Sequence, residues 1–157
     1  MKRKLLTLLL TVVISITGVW CGDMSVEAQD GSEDIDISEL MTEDAIIGYS
    51  IPLTKGVYYS DGSSIINKIA SNKVGAGGVT NAAIKCTVKV TSILERKNSS
   101  GSWEYVSSWT QTNQNAYTAM ISKSVIVGTG YYYRVRSYHY AGTDSSSSST
   151  NALWMGN

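Results

Sequence analysis

The sequence is short of the residues that carry catalysis and metal binding. It holds one histidine, His139, two cysteines, Cys21 and Cys86, and one proline, Pro52. A metal site needs several His, Cys or carboxylate ligands to converge, and nothing near His139 along the chain offers them. No cofactor is expected. No nucleophile elbow, zinc motif, paired-cysteine motif or phosphate loop occurs. Gly75-Ala76-Gly77-Gly78 lacks the Gly-Lys-Ser/Thr ending of a phosphate loop and reads as a turn or bulge. A Cys86–His139 dyad would need a reactive thiol, but Cys86 lies in an apolar alternation with Ile84, Val88 and Val90 and reads as a small buried hydrophobe. Glu95 and Glu104, across a hairpin, could imitate the two carboxylates of a glycosidase, yet both fall on a charged, wet segment and read as solvated acids. The chain is therefore expected not to be an enzyme.

A membrane span is also missing. The uncharged run at residues 5–19 is short of the about 20 residues that cross a bilayer. Lys2, Arg3 and Lys4 precede it, and Val26-Glu27-Ala28 supplies a cleavage site, so residues 1–28 read as a secretory signal peptide. Bulky Trp20 argues against lipid attachment at Cys21, which then leaves with the leader. Cys86 remains alone, no internal disulfide can form, and the domain must fold on its core. The residues after Leu153 carry no sorting signal, so the expectation is a secreted, extracellular protein with no stable membrane span after signal cleavage.

Charge is sparse and unevenly placed. Residues 30–44 hold seven acids (Asp30, Glu33, Asp34, Asp36, Glu39, Glu43, Asp44) and no base. From Ala45 onward ten bases face four acids, a net of +6. Residues 29–50 read as an acidic, flexible arm, either solvated or folded back on the basic surface. The pattern around Ile35, Ile37 and Leu40 is too short to stand alone as a helix.

What remains is β-forming sequence. From residue 51 to 157 helical periodicity is absent, and runs rich in Val, Ile, Thr, Tyr and Trp alternate with Gly, Ser and Asn clusters. Strands are expected at 64–73, 84–96, 103–110, 116–127, 131–140 and 152–155, with a bulge near Ser122. Loops are expected at 98–101 and 111–115 and through the serine run that follows Asp144. In residues 84–96 apolar side chains (Ile84, Cys86, Val88, Val90, Leu94) alternate with polar ones, as in a sheet with one wet face. The fold class is all-β, a single antiparallel β-sandwich of about six or seven strands.

The segment Gly130-Tyr131-Tyr132-Tyr133-Arg134-Val135-Arg136-Ser137-Tyr138-His139-Tyr140 has a period of two. Tyr131, Tyr133, Val135, Ser137 and His139 share one face; Tyr132, Arg134, Arg136, Tyr138 and Tyr140 share the other. The arginines decide which face is wet, because an unpaired buried charge costs several kcal/mol. His139 becomes a hydrogen-bonded residue at the edge of the core. The outward Tyr/Arg stripe is either a structural ladder of cation–aromatic contacts, with Glu95 within reach of one arginine, or a binding surface.

Leu94-Glu95-Arg96, Gly101-Ser102-Trp103, Trp109 and Gly130-Tyr131-Tyr132-Tyr133-Arg134-Val135-Arg136 together resemble a family of small secreted proteins of Gram-positive bacteria with no characterised function. Tyr-Tyr-Arg-Val-Arg also resembles the penultimate strand of fibronectin type III-like domains, which implies an immunoglobulin-like sandwich and no particular activity. The expected function is a secreted, non-enzymatic module that binds a protein or glycan, or acts at the cell envelope. The candidate contacts are Tyr132, Arg134, Arg136, Tyr138 and Tyr140. The alternatives are a carbohydrate-binding module and a toxin-like effector active on membranes. No nucleic-acid partner is expected, and the composition sets no oligomeric state.

Overall fold

The computed structural model describes residues 31–50 and 56–156. The expected signal peptide and cleavage site of residues 1–28, with Cys21, and Pro52 lie outside the described residues. Among the described residues the chain is all-β apart from one helical turn: β1 (Ser32–Asp34), α1 (Ile37–Leu40), β2 (Ile46–Ser50), β3 (Tyr59–Ala70), β4 (Lys73–Lys97), β5 (Glu104–Ile126), β6 (Tyr131–Ala141), β7 (Asp144–Ser149) and β8 (Leu153–Met155). Six of these strands, β3–β8, fall in the segment from residue 51 onward where six or seven were expected; β1 and β2 come from the acidic segment before it, and all eight are hydrogen-bonded into one continuous antiparallel sheet.

Its spine is the β4–β5 hairpin. A straight strand of 25 residues would run roughly 80 Å, so β4 serves two halves of the molecule in turn. Residues 73–82 pair with β3 and residues 88–97 with β6, while β5 follows β4 through both stretches. Between Asn81 and Cys86 the pairing with β5 is irregular, and three more residues are spent on β4 than on β5. Asn115, opposite this break, has φ 48°. Here the sheet folds on itself. One arm is β2-β3-β4-β5-β1, the other is β5-β4-β6 with β7 and β8, and β3 contacts β6, β7 and β8.

The two arms enclose two apolar clusters. One contains Ile66, Val74, Leu94, Val125, Tyr133, Val135 and Met155. The other contains Tyr59, Ala82, Val88, Val90, Ala119 and Ala141. Between them runs a band of small and polar side chains with almost no exposure: Ser64, Thr80, Ser92, Ser137, His139 and Ser148. Glycine sets the spacing of that band. A Cβ on Gly78 would stand 2.7 Å from the hydroxyls of Ser92 and Ser137, and one on Gly62 would stand 2.7 Å from the His139 ring. The layers close to this distance because those two positions carry no side chain.

Several local expectations are corrected. Gly75-Ala76-Gly77-Gly78 is neither turn nor bulge but the interior of β4, in unbroken register with both β3 and β5. Residues 111–115 are not a loop; β5 runs through them. No bulge occurs at Ser122, where residues 118–126 pair regularly with β4; the irregularity lies between Asn113 and Thr118. Lys123 shares a face with Val125 because Asp34 neutralises it at 2.8 Å. The serine run is β7, paired in register with β6, and not a loop. The slip at residues 82–86 puts Ile84 outside, 49% exposed, and leaves Cys86 half-buried against the second cluster.

The acidic segment contributes to the sheet. Ser32–Asp34 pairs with β5 and Ile46–Ser50 with β3. Asp36 caps α1 by accepting from the Ser38 N–H at 2.8 Å. One turn cannot hold itself; it is held by Leu40, fully buried, and by Asn67 Nδ2, which donates to the Glu39 carbonyl at 2.9 Å. Two acids meet bases of the sheet, Glu33 with Lys73 at 3.0 Å and Asp34 with Lys123 at 2.8 Å.

Candidate binding face on the outer side of β6

The alternation read from β6 is the alternation found. Tyr133, Val135, Ser137 and His139 are buried, Tyr131 is half-buried, and the opposite set, Tyr132, Arg134, Arg136, Tyr138 and Tyr140, is partly or fully exposed. The inner set is structural. His139 has no exposed surface, and both its nitrogens are taken. Thr80 Oγ1 donates to the Lys89 carbonyl at 3.1 Å, so it accepts from His139 Nδ1 at 2.8 Å. Nε2 then accepts from Ser148 Oγ at 2.8 Å, and Ser148 in turn accepts from Ser64 Oγ at 2.7 Å. This chain is complete only with a neutral imidazole, and burial pushes the His139 pKa down to about 4, against a weaker opposing effect of the Asp61 charge. No nitrogen is left for a Cys86–His139 dyad.

The outer set is organised around Glu95, which is only 7% exposed and not the solvated acid expected. Glu95 pairs with both arginines, not one. Arg134 Nε donates to Oε2 at 2.7 Å and Arg136 Nη2 to Oε1 at 2.8 Å. Arg136 Nη1 also donates to the Tyr138 hydroxyl at 3.0 Å. Register explains the meeting: Glu95 lies opposite Arg134 and Ile93 opposite Arg136, so one carboxylate spans two rows. Glu104, the other acid of the imagined catalytic pair, binds Arg96 at 3.4 Å.

Residues that sequence reasoning left out complete the face. The Arg134 guanidinium lies 4.1 Å from the centre of the Trp103 ring, with the Lys97 ammonium 4.9 Å from the same ring. Lys89 lies 4.1 Å over Tyr140. Trp154 of β8 stands opposite Tyr132, ring centres 4.7 Å apart, and keeps 46% of its surface exposed. On the β7 side, Ser145, Ser147 and Ser149 stand opposite Tyr140, Tyr138 and Arg136 and point outward; Ser148 points in. The β5 side adds Ser108, Thr110 and Thr112 in the same rows. The result is a cationic, aromatic spine whose Arg136-to-Tyr140 half lies between two columns of hydroxyls. Only the alternation of β6 was visible in sequence, because the other contributors depend on strand register.

A protein-family profile matches residues 26–154. The chain belongs to DUF6147, a family of unknown function. The match takes in β1 to β7, all of β8 but Met155, and both columns that flank β6. No curated protein and no solved structure matches the chain. Among the described residues no helix is long and apolar enough to cross a membrane.

Proposed function

We propose that this protein is a secreted, non-enzymatic binding module that makes contact through the outer face of β6, at the cell envelope or on another protein. One observation carries the reading: Tyr132, Arg134, Arg136, Tyr138 and Tyr140 share one exposed face with Trp103, Trp154, Lys89 and Lys97. Tyrosine, tryptophan and arginine are the side chains that dominate binding hot spots, and their planes here are held by neighbours before any ligand arrives, which lowers the cost of ordering them. The signal-peptide pattern of residues 1–28 supports secretion. The non-enzymatic part is supported by the engagement of His139, Glu95 and Glu104, the groups a catalytic reading would need.

The test is ligand capture on glycan arrays and in pull-downs from envelope extracts, with Tyr132, Arg134, Tyr138 and Tyr140 each changed to Ala. Loss of a captured ligand in variants that keep the wild-type circular dichroism spectrum is the expected result. Capture unchanged in all four would remove this face from the function.

A further inference from the structure

We infer that the ligand of this face is an acidic polysaccharide, a chain of sugar rings bearing carboxylates. The inference rests on the proposed binding role of the outer face of β6 and adds the class of ligand. Charge complementarity carries it. Four cations, Lys89, Lys97, Arg134 and Arg136, belong to the face, and its sole carboxylate among the described residues, Glu95, is consumed by the two arginines. The acids nearest in sequence are turned elsewhere: Glu104 binds Arg96, and Asp144 accepts from the backbone N–H groups of Tyr58 and Tyr59 at 2.7 and 3.0 Å. The face therefore keeps a surplus of positive charge along the whole of β6. Lys97 lies opposite Tyr132 and Lys89 opposite Tyr140, so the cations are spread over roughly 27 Å of strand. That is a track for an extended chain, not a pocket for a small ion.

The remaining chemistry selects sugars among polyanions. Beside the Arg136, Tyr138 and Tyr140 rows the cationic spine is flanked by a column of hydroxyls from β5 and another from β7, suited to exchanging hydrogen bonds with ring hydroxyls, while the Tyr132 and Arg134 rows are flanked by aromatic rings. The Tyr132–Trp154 pair offers exposed aromatic surface at one end of the track and Tyr140, 40% exposed, at the other. Hydrophobic ring faces, flanking hydroxyls and fixed cations match the apolar faces, hydroxyls and carboxylates of a polyuronate. A bare polyphosphate would use the cations and leave the rest without a role.

The experiment is titration of the mature full chain with alginate, dextran and inorganic polyphosphate, at low and at 0.5 M salt. The variants are Lys97→Glu, Lys89→Glu and Ser147→Asp, all at surface positions outside the core. Alginate should bind, should weaken as salt screens it, and should lose roughly three- to fivefold in affinity for each lysine reversal. Ser147→Asp should weaken it in the same direction. Dextran bound as tightly as alginate, with no salt dependence, would overturn the acidic ligand while leaving the binding face in place. Polyphosphate bound more tightly than alginate would overturn the sugar. Alginate binding unchanged by all three variants would overturn both the ligand class and the face.

Discussion

His139 sits at the centre of the molecule with both nitrogens committed, and its neutrality is a condition of folding. Its folded pKa of about 4 lies below the 6.5 of a free histidine, so the unfolded chain binds a proton more readily. The sign follows: stability is full above about pH 6.5 and falls as the pH drops towards 4, by up to roughly 3 kcal/mol. Asp144 acts in the same direction lower on the scale. The N–H groups of Tyr58 and then Tyr59 hold its carboxyl below the usual range, so its contribution is lost as that depressed pKa is crossed in acid. Urea unfolding at pH 7.0 and 4.5 should show the histidine effect, and His139→Gln should remove most of the difference between the two pH values. Glu95 is the second residue on which much rests. Replacing it by Gln leaves two guanidiniums around one neutral amide and should cost about 2–3 kcal/mol in urea melts at neutral pH. Sequence alone placed Glu95 near the arginines but could not show that it is buried, because its cover comes from β6, a strand distant in sequence.

Strand elements show where local reading succeeds and where it stops. The two faces of β6 were legible because two arginines on one period-two face leave little choice of which side is wet. The first half of β4 is not legible locally, because glycines at 75, 77 and 78 resemble a turn in isolation. Their purpose lies across the interlayer gap, where Gly78 faces the hydroxyls of Ser92 and Ser137. The serine run hides its strand for a similar reason. Nothing in Ser145–Ser149 alternates by type, yet the register with β6 sends Ser148 inward to His139 and its neighbours outward. Gly78→Ala tests this explanation of the glycines. The added methyl must push two buried hydroxyls and the layers they belong to, at a cost of about 1–3 kcal/mol. A Gly78→Ala protein as stable as wild type in thermal melts would mean that the layers are not in close contact there.

At the scale of the whole molecule, one hairpin carries both arms. β4 and β5 run through each half of the folded sheet, and the first apolar cluster takes side chains from both halves, so opening one arm uncovers the core of the other. Calorimetry should give a single transition with equal calorimetric and van't Hoff enthalpies, and two resolved transitions would separate the arms. This sharing also makes one outer face continuous from β5 through β4 and β6 to β7. That face is the centre of the functional account, and tryptophan reports on it directly. Trp103 and Trp154 belong to the face, whereas the Trp109 indole N–H is tied to Ser32 at 3.1 Å on the packed side of the sheet. In nitrogen–proton spectra of the labelled mature protein titrated with alginate, the indole signals of Trp103 and Trp154 should shift to saturation while that of Trp109 stays in place. Saturation with Trp109 moving and the other two unmoved would contradict the account.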